Sequence, residues 1–168
     1  NEIDRNVSHQ TTLFCLGGFV VTTIYGSDRS TSDLDALTLV GGTTKLASFA
    51  GENSKLHKKH KVYLDPVGIV TMPENFESRI FEIFAGQFKW IRLFALDPYD
   101  LALAKIERNI ARDRDDVKFL ARTIPFDLDV LKSRYHDELR VYLGNPKRED
   151  LTLKLWIEMI SEERSNSK

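Results

Sequence analysis

The chain has 168 residues, 42% hydrophobic and 29% charged, the balance of an ordinary folded protein with length for one well-packed domain and a small helical appendage. A net charge of -1 excludes the broad basic surface of wholesale nucleic-acid binding but leaves room for a local basic patch. The single cysteine, Cys15, rules out an intramolecular disulfide and fits a reducing, cytoplasmic setting. No apolar run approaches the ~20 residues a membrane helix needs, so no membrane partner is expected. The first residues, Asn1-Glu2-Ile3-Asp4, lack both a Met and the apolar core of a secretory signal.

In chain order, Thr12 to Leu16 is a short apolar run ended by Gly17-Gly18, which predicts a buried strand. Within it, Cys15 is expected as a small buried thiol. Phe19 to Ile24 predicts a short helix closed by Gly26, and Leu34 to Val40 a second strand ended by Gly41-Gly42. Thr43 to Lys59 reads as one helix with Leu46, Ala50 and Leu56 among its apolar positions. Lys61 to Leu64 predicts a third strand, leading into Asp65-Pro66. Ile80 to Phe84 and Trp90 to Ala95 predict a hairpin around Ala85-Gly86-Gln87. The aromatic set Phe81, Phe84, Phe88, Trp90 and Phe94 is expected in the core rather than as a base-stacking platform.

From Asp97-Pro98 onward the strand signal stops and helices follow. Asp97-Pro98-Tyr99-Asp100 is a helix start, after which Leu103, Ile106 and Ile110 fall at helical spacing. A second helix follows Asp113, with Val117, Leu120, Ala121 and Ile124 on one face. A third runs from Asp127 through Leu131 and Tyr135 to Leu139, and Gly144-Asn145-Pro146 stops it. The last, Asp150 to Glu163, carries Leu151, Leu155 and Met159 together with Trp156 and Ile160, and Ser165 to Lys168 should fray. The expected architecture is α+β: a small mixed sheet flanked by helices over 1–97, with a C-terminal helical part over 98–168 packed on it or continuous with it.

The stretch that carries chemistry is Leu16-Gly17-Gly18 followed by Ser32-Asp33-Leu34-Asp35. Two residues apart on a strand, Asp33 and Asp35 point to the same face while Leu34 points into the core. Two like charges so close repel unless a cation sits between them. Mg²⁺ or Mn²⁺ relieves this, preferring oxygen ligands and commonly combining one or two carboxylates with substrate phosphates. At Gly17-Gly18 the missing Cβ atoms would let backbone approach a phosphate. An isolated Asp-x-Asp also has a plainer reading, as a strand end or turn.

Together the segment LGGFVVTTIYGSDRSTSDLD resembles the signature of the nucleotidyltransferase superfamily, in which a glycine pair precedes a metal-binding Asp-x-Asp. Among its branches it is most similar to small bacterial nucleotidyltransferases related to the AbiEii-type toxins. The later stretch, Leu96 to Ile106 and then Arg112-Asp113-Arg114-Asp115-Asp116, resembles that branch's lysine-bearing helix and the Arg-Asp-x-x-Asp element after it. The resemblance implies that Asp33 and Asp35 bind the metal. Gly17, Gly18 and Ser32 would line the nucleoside triphosphate. Lys105 would contact the triphosphate or help the leaving group, with Asp113 and Asp116 as the acidic residues of the later element. A third carboxylate is expected on a neighbouring strand, Asp65 first and Glu82 in reserve.

Plainer readings stand beside these. Asp113 and Asp116 fit a helix cap, Lys105 fits a solvated charge, and Ser27 and Arg29 in the loop before the pair either touch phosphate or simply follow a helix end. The basic run Lys55 to Lys61 reads as a solvated helix end or as a contact for an acidic acceptor. The function expected from the resemblance is metal-dependent transfer of a nucleoside monophosphate from an NTP to an RNA (tRNA) or protein acceptor. A toxin–antitoxin or phage-defence setting with a cognate toxin or antitoxin partner goes with it. The alternative is a catalytically inactive binding module of the same fold acting through a protein partner.

Overall fold

The computed structural model describes residues 2–40 and 43–166. Five strands, β1 (Thr11–Cys15), β2 (Asp33–Val40), β3 (Tyr63–Pro66), β4 (Phe81–Ile83) and β5 (Ile91–Ala95), form one sheet in the order β3-β2-β1-β5-β4. The sheet is mixed: β1 runs antiparallel to β2 and parallel to β5, β2 parallel to β3, and β4 antiparallel to β5. Its centre is β1, whose Leu13, Phe14 and Cys15 are buried, as expected of a short apolar strand flanked on both sides. The seven helices among the described residues are α1 (Gly17–Thr23), α2 (Thr43–Ala50), α3 (Lys55–His60), α4 (Pro98–Leu103), α5 (Ala111–Thr123), α6 (Leu128–Arg134) and α7 (Pro146–Asn166). This is the α+β, nucleotidyltransferase-like arrangement.

The chain divides into two compact units, Asn1–Ile69 with Ile80–Leu96, and Val70–Arg79 with Asp97–Lys168. In the first unit, Leu13 and Leu93 are register partners on one sheet face. With Leu34 and Leu64 they line an apolar cavity of about 440 Å³ that Leu46, Ala50 and Leu56 also border. The single helix expected over Thr43 to Lys59 is instead two. Asn53 takes a left-handed φ of 63°, and Ser54 then caps α3 by accepting from the His57 amide at 3.0 Å. Pro66 ends β3 without harm because β3 is an edge strand whose outer N–H row needs no partner. The aromatic set expected in the core is only partly so: Phe81 is 39% exposed and none of the five is fully buried. The turn at Gly41-Gly42 lies outside the described residues, as do Ser167 and Lys168.

In the second unit, Asp97 caps α4 by accepting from the Asp100 amide at 2.9 Å, with Pro98 in the first turn. The helix stops at Leu103 rather than continuing to Ile110: the Lys105 and Ile106 amides bond three residues back, to Ala102 and Leu103, and Asn109 at φ 44° then leads into Ile110, the exposed residue before α5. After α6 the chain continues through a π-helical turn (Tyr135–Leu139) and a 3-10 turn (Arg140–Tyr142). On α7, Leu153, Trp156 and Ile160 are buried, while Leu151 and Leu155, expected with the apolar face, are 58% and 53% exposed. The helix also begins at Pro146, four residues before the expected Asp150, as suits proline in a first turn. Arg79 ties the segment Val70–Arg79 into this unit through Asp100 at 2.7 Å and Glu138 at 2.8 Å.

Candidate active site

The local sequence builds the site from a strand, a tight turn and a second strand. The Leu16 amide donates to the Asp35 carbonyl at 3.0 Å, so the end of β1 is pinned against β2 where the carboxylates emerge. The chain then turns at Gly17, whose φ of +64° favours glycine, and enters α1. A Cβ on Gly17 would stand 1.7 Å from Asp35 Oδ2, and one on Gly18 would stand 2.4 Å from an Arg29 terminal nitrogen and 3.2 Å from Thr31 Oγ1. Gly17 is therefore required by its backbone and by Asp35, while Gly18 leaves room that the Arg29 guanidinium takes. Asp35 occupies the space over one α-carbon, and Arg29 the space over the next.

Asp33 and Asp35 share one face of β2 and are both partly exposed. Leu34 points the other way, into the apolar cavity. The Thr31 hydroxyl is hydrogen-bonded to the Asp33 carboxylate. On the neighbouring parallel strand, Tyr63 is in register with Asp33 and Asp65 with Asp35. Asp65 thus lies on the same face one strand spacing away, about 4.8 Å, and is exposed. Glu82, the reserve for the third carboxylate, sits on β4 at the opposite edge of the sheet, where Arg92 holds it at 2.7 Å. Ser32 is exposed, and its carbonyl accepts from the Tyr63 amide at 2.8 Å. Burial lifts the pKa of the Tyr63 phenol, and the charges of Asp33, Glu52, Asp65 and Asp35 push it the same way.

Among the described residues no three acidic, imidazole or thiol groups converge as a ready metal cage. The donor set nevertheless fits a hard cation that takes only one or two protein carboxylates and completes its shell with phosphate and water oxygens. Cys15 is fully buried and its thiol is pushed up to about 12 by that burial, which suits packing and not nucleophilic chemistry.

The residues expected from the later motif are gathered in the second unit. Lys105 is 4% exposed, and its ammonium donates to Asp116 at 3.0 Å with Asp113 3.7 Å away. Asp113 accepts from Arg108 at 2.6 and 2.9 Å and from the Ile110 amide at 3.1 Å, capping α5. Burial works to raise the Asp113 carboxyl, but Arg108 and Lys105 outweigh it and hold it below the ordinary range. Lys105 is therefore neither solvated nor bare, and Asp113 has a capping part whatever else it does.

Arg29 and Thr31 enter the site through contacts that only the fold creates, although their position just ahead of Asp33 was a usable signal. Tyr63 had no signal at all, since its placement depends on the β2–β3 register. No helix among the described residues is long and apolar enough to cross a membrane. The family described as a nucleotidyltransferase of unknown function, DUF6036, matches residues 1–164. No curated protein and no solved structure matches the chain.

Proposed function

The chain belongs to this family of nucleotidyltransferases, and from that premise we propose that it moves a nucleoside monophosphate from an NTP to an acceptor hydroxyl at Asp33 and Asp35. The observation that carries the reading is the packing of Asp35 over the bare α-carbon of Gly17. With Asp33 on the same strand face and Asp65 in register beside it, three carboxylates open from one patch of sheet. Asp33 and Asp35 would hold Mg²⁺ or Mn²⁺, which supplies charge neutralisation for the triphosphate and a more acidic acceptor hydroxyl.

The chain's own residues then position and deprotonate. The acceptor oxygen forms a bond to the α-phosphorus as the α–β bridging P–O bond breaks, and pyrophosphate leaves with the electron pair. Asp65 takes the hydroxyl proton, being the most exposed of the three carboxylates. Thr31 fixes the orientation of Asp33 through its hydroxyl. We assign the acceptor to RNA over protein. The support is the exposed Lys58 and Lys61 at the end of α3, directly ahead of the strand that carries Tyr63 and Asp65. A toxin–antitoxin setting follows from the resemblance to AbiEii-type enzymes.

The test is incubation with each α-labelled NTP, Mg²⁺ or Mn²⁺, total RNA and cell protein. Label is expected in RNA, abolished by chelator and by the pair Asp33→Ala/Asp35→Ala. Label in protein alone would reassign the acceptor. Metal-independent nucleotide binding, unchanged in the double variant and without transfer, would establish a binding module instead.

A further inference from the structure

We infer that Arg29 is the cationic residue that grips the phosphate chain of the incoming nucleotide; this rests on the nucleotidyl-transfer reading of Asp33 and Asp35. Three observations converge on it. A terminal nitrogen of its guanidinium lies 2.4 Å from where a Gly18 Cβ would be. Gly17 and Gly18 are adjacent, so their α-carbons stand about 3.8 Å apart. The carboxylate of Asp35 covers the first and the guanidinium of Arg29 the second. The Thr31 hydroxyl lies 3.2 Å from the same Gly18 Cβ position and is bonded to Asp33. Arg29 thus stands at the rim of the carboxylate pair, on the side of the glycine turn, and is partly exposed.

The chemistry of the group fits that place. A triphosphate held at Asp33 and Asp35 brings several negative charges to a patch that already carries Asp33, Asp35, Asp65 and Glu52. A cation at the rim of that patch offsets them. Guanidinium is planar, always charged and able to hold two phosphate oxygens at once, which a lysine at the same place would do less well. Gly18 makes the arrangement possible, since any side chain there would displace the guanidinium.

The test measures affinity by calorimetry in Mg²⁺ for each of the four NTPs, and for the di- and monophosphate of the base bound best. Wild type, Arg29→Ala, Arg29→Lys and Gly18→Ala are compared, with circular dichroism confirming the fold of each. Arg29→Ala is expected to weaken NTP binding about ten- to a hundredfold, as for a lost hydrogen bond to a charged group. Monophosphate binding should change less than about threefold, because a monophosphate lacks the oxygens Arg29 reaches. Arg29→Lys should recover part of the loss, and Gly18→Ala should reproduce it with the charge retained. If Arg29→Ala or, should that variant not fold, Gly18→Ala keeps the wild-type preference for triphosphate over monophosphate, Arg29 has no such part while the transfer reading stands. If the wild-type protein binds no NTP, both fall together.

Discussion

The two units of the chain treat their carboxylates in opposite ways. In the second unit Asp100, Asp113, Asp116 and Glu149 are buried, and each is bridged by a basic side chain: Arg79, Arg108, Lys105 and Arg148 respectively. In the first unit Asp33, Asp35 and Asp65 remain partly or fully open to solvent on one sheet face. A buried acid must be paired to be tolerated, so pairing accounts for the acids of the second unit whatever else they do. Acids gathered at an open face are where the proposed chemistry would draw its metal ligands. The difference shows that charge type alone says little; burial sets what an acid can do.

Three variants probe that contrast. The pair Asp33→Asn/Asp35→Asn should reduce transfer by on the order of a thousandfold, the scale of charge stabilisation lost at a phosphoryl site. Its melting temperature should hold steady or rise slightly, as fits removal of like charges. A large fall in melting temperature would show that the two acids hold the fold. Lys105→Ala should destabilise by roughly 3–5 kcal/mol, because it strands buried Asp116 and Asp113 without their ammonium. Denaturant unfolding measures this, and loss of transfer at unchanged stability would give Lys105 a catalytic part.

The smallest effect concerns Asp150, whose carboxylate is held to about 2 from an ordinary 3.8, chiefly by Arg140 and then by the Tyr135 hydroxyl. Its folded value is depressed, so its contribution to stability is fully present above 3.8 and is lost as the pH falls through about 2. Melting curves between those limits should drop more steeply for wild type than for Asp150→Asn. Parallel curves would mean that the Arg140–Asp150 pair contributes nothing.

Much of the candidate site's local geometry was legible in the sequence because its signals are local. The glycine pair, the two-residue spacing of Asp33 and Asp35 and the Asp97-Pro98 helix start each act within a few residues. The break between α2 and α3 was also written locally, in Gly51, Asn53 and Ser54, but the apolar spacing of Leu46, Ala50 and Leu56 masked it. On α7 two apolar stripes compete, Leu151 with Leu155 and Leu153 with Trp156 and Ile160. Only packing decides that the second is buried. The pairing of Asp65 with Asp35, and the choice of Asp65 over Glu82, depends on strand order, which no short-range pattern encodes. Arg79 reaching Asp100 and Glu138 is likewise a product of the fold.

Pro66 bears on the behaviour of many copies together. It closes a four-residue strand at one margin of the sheet, and the opposite margin, β4, is only three residues long. A proline offers no amide hydrogen, so that border cannot template a further strand along its whole length. The same residue that ends β3 guards the protein against accreting into ribbons when it is crowded.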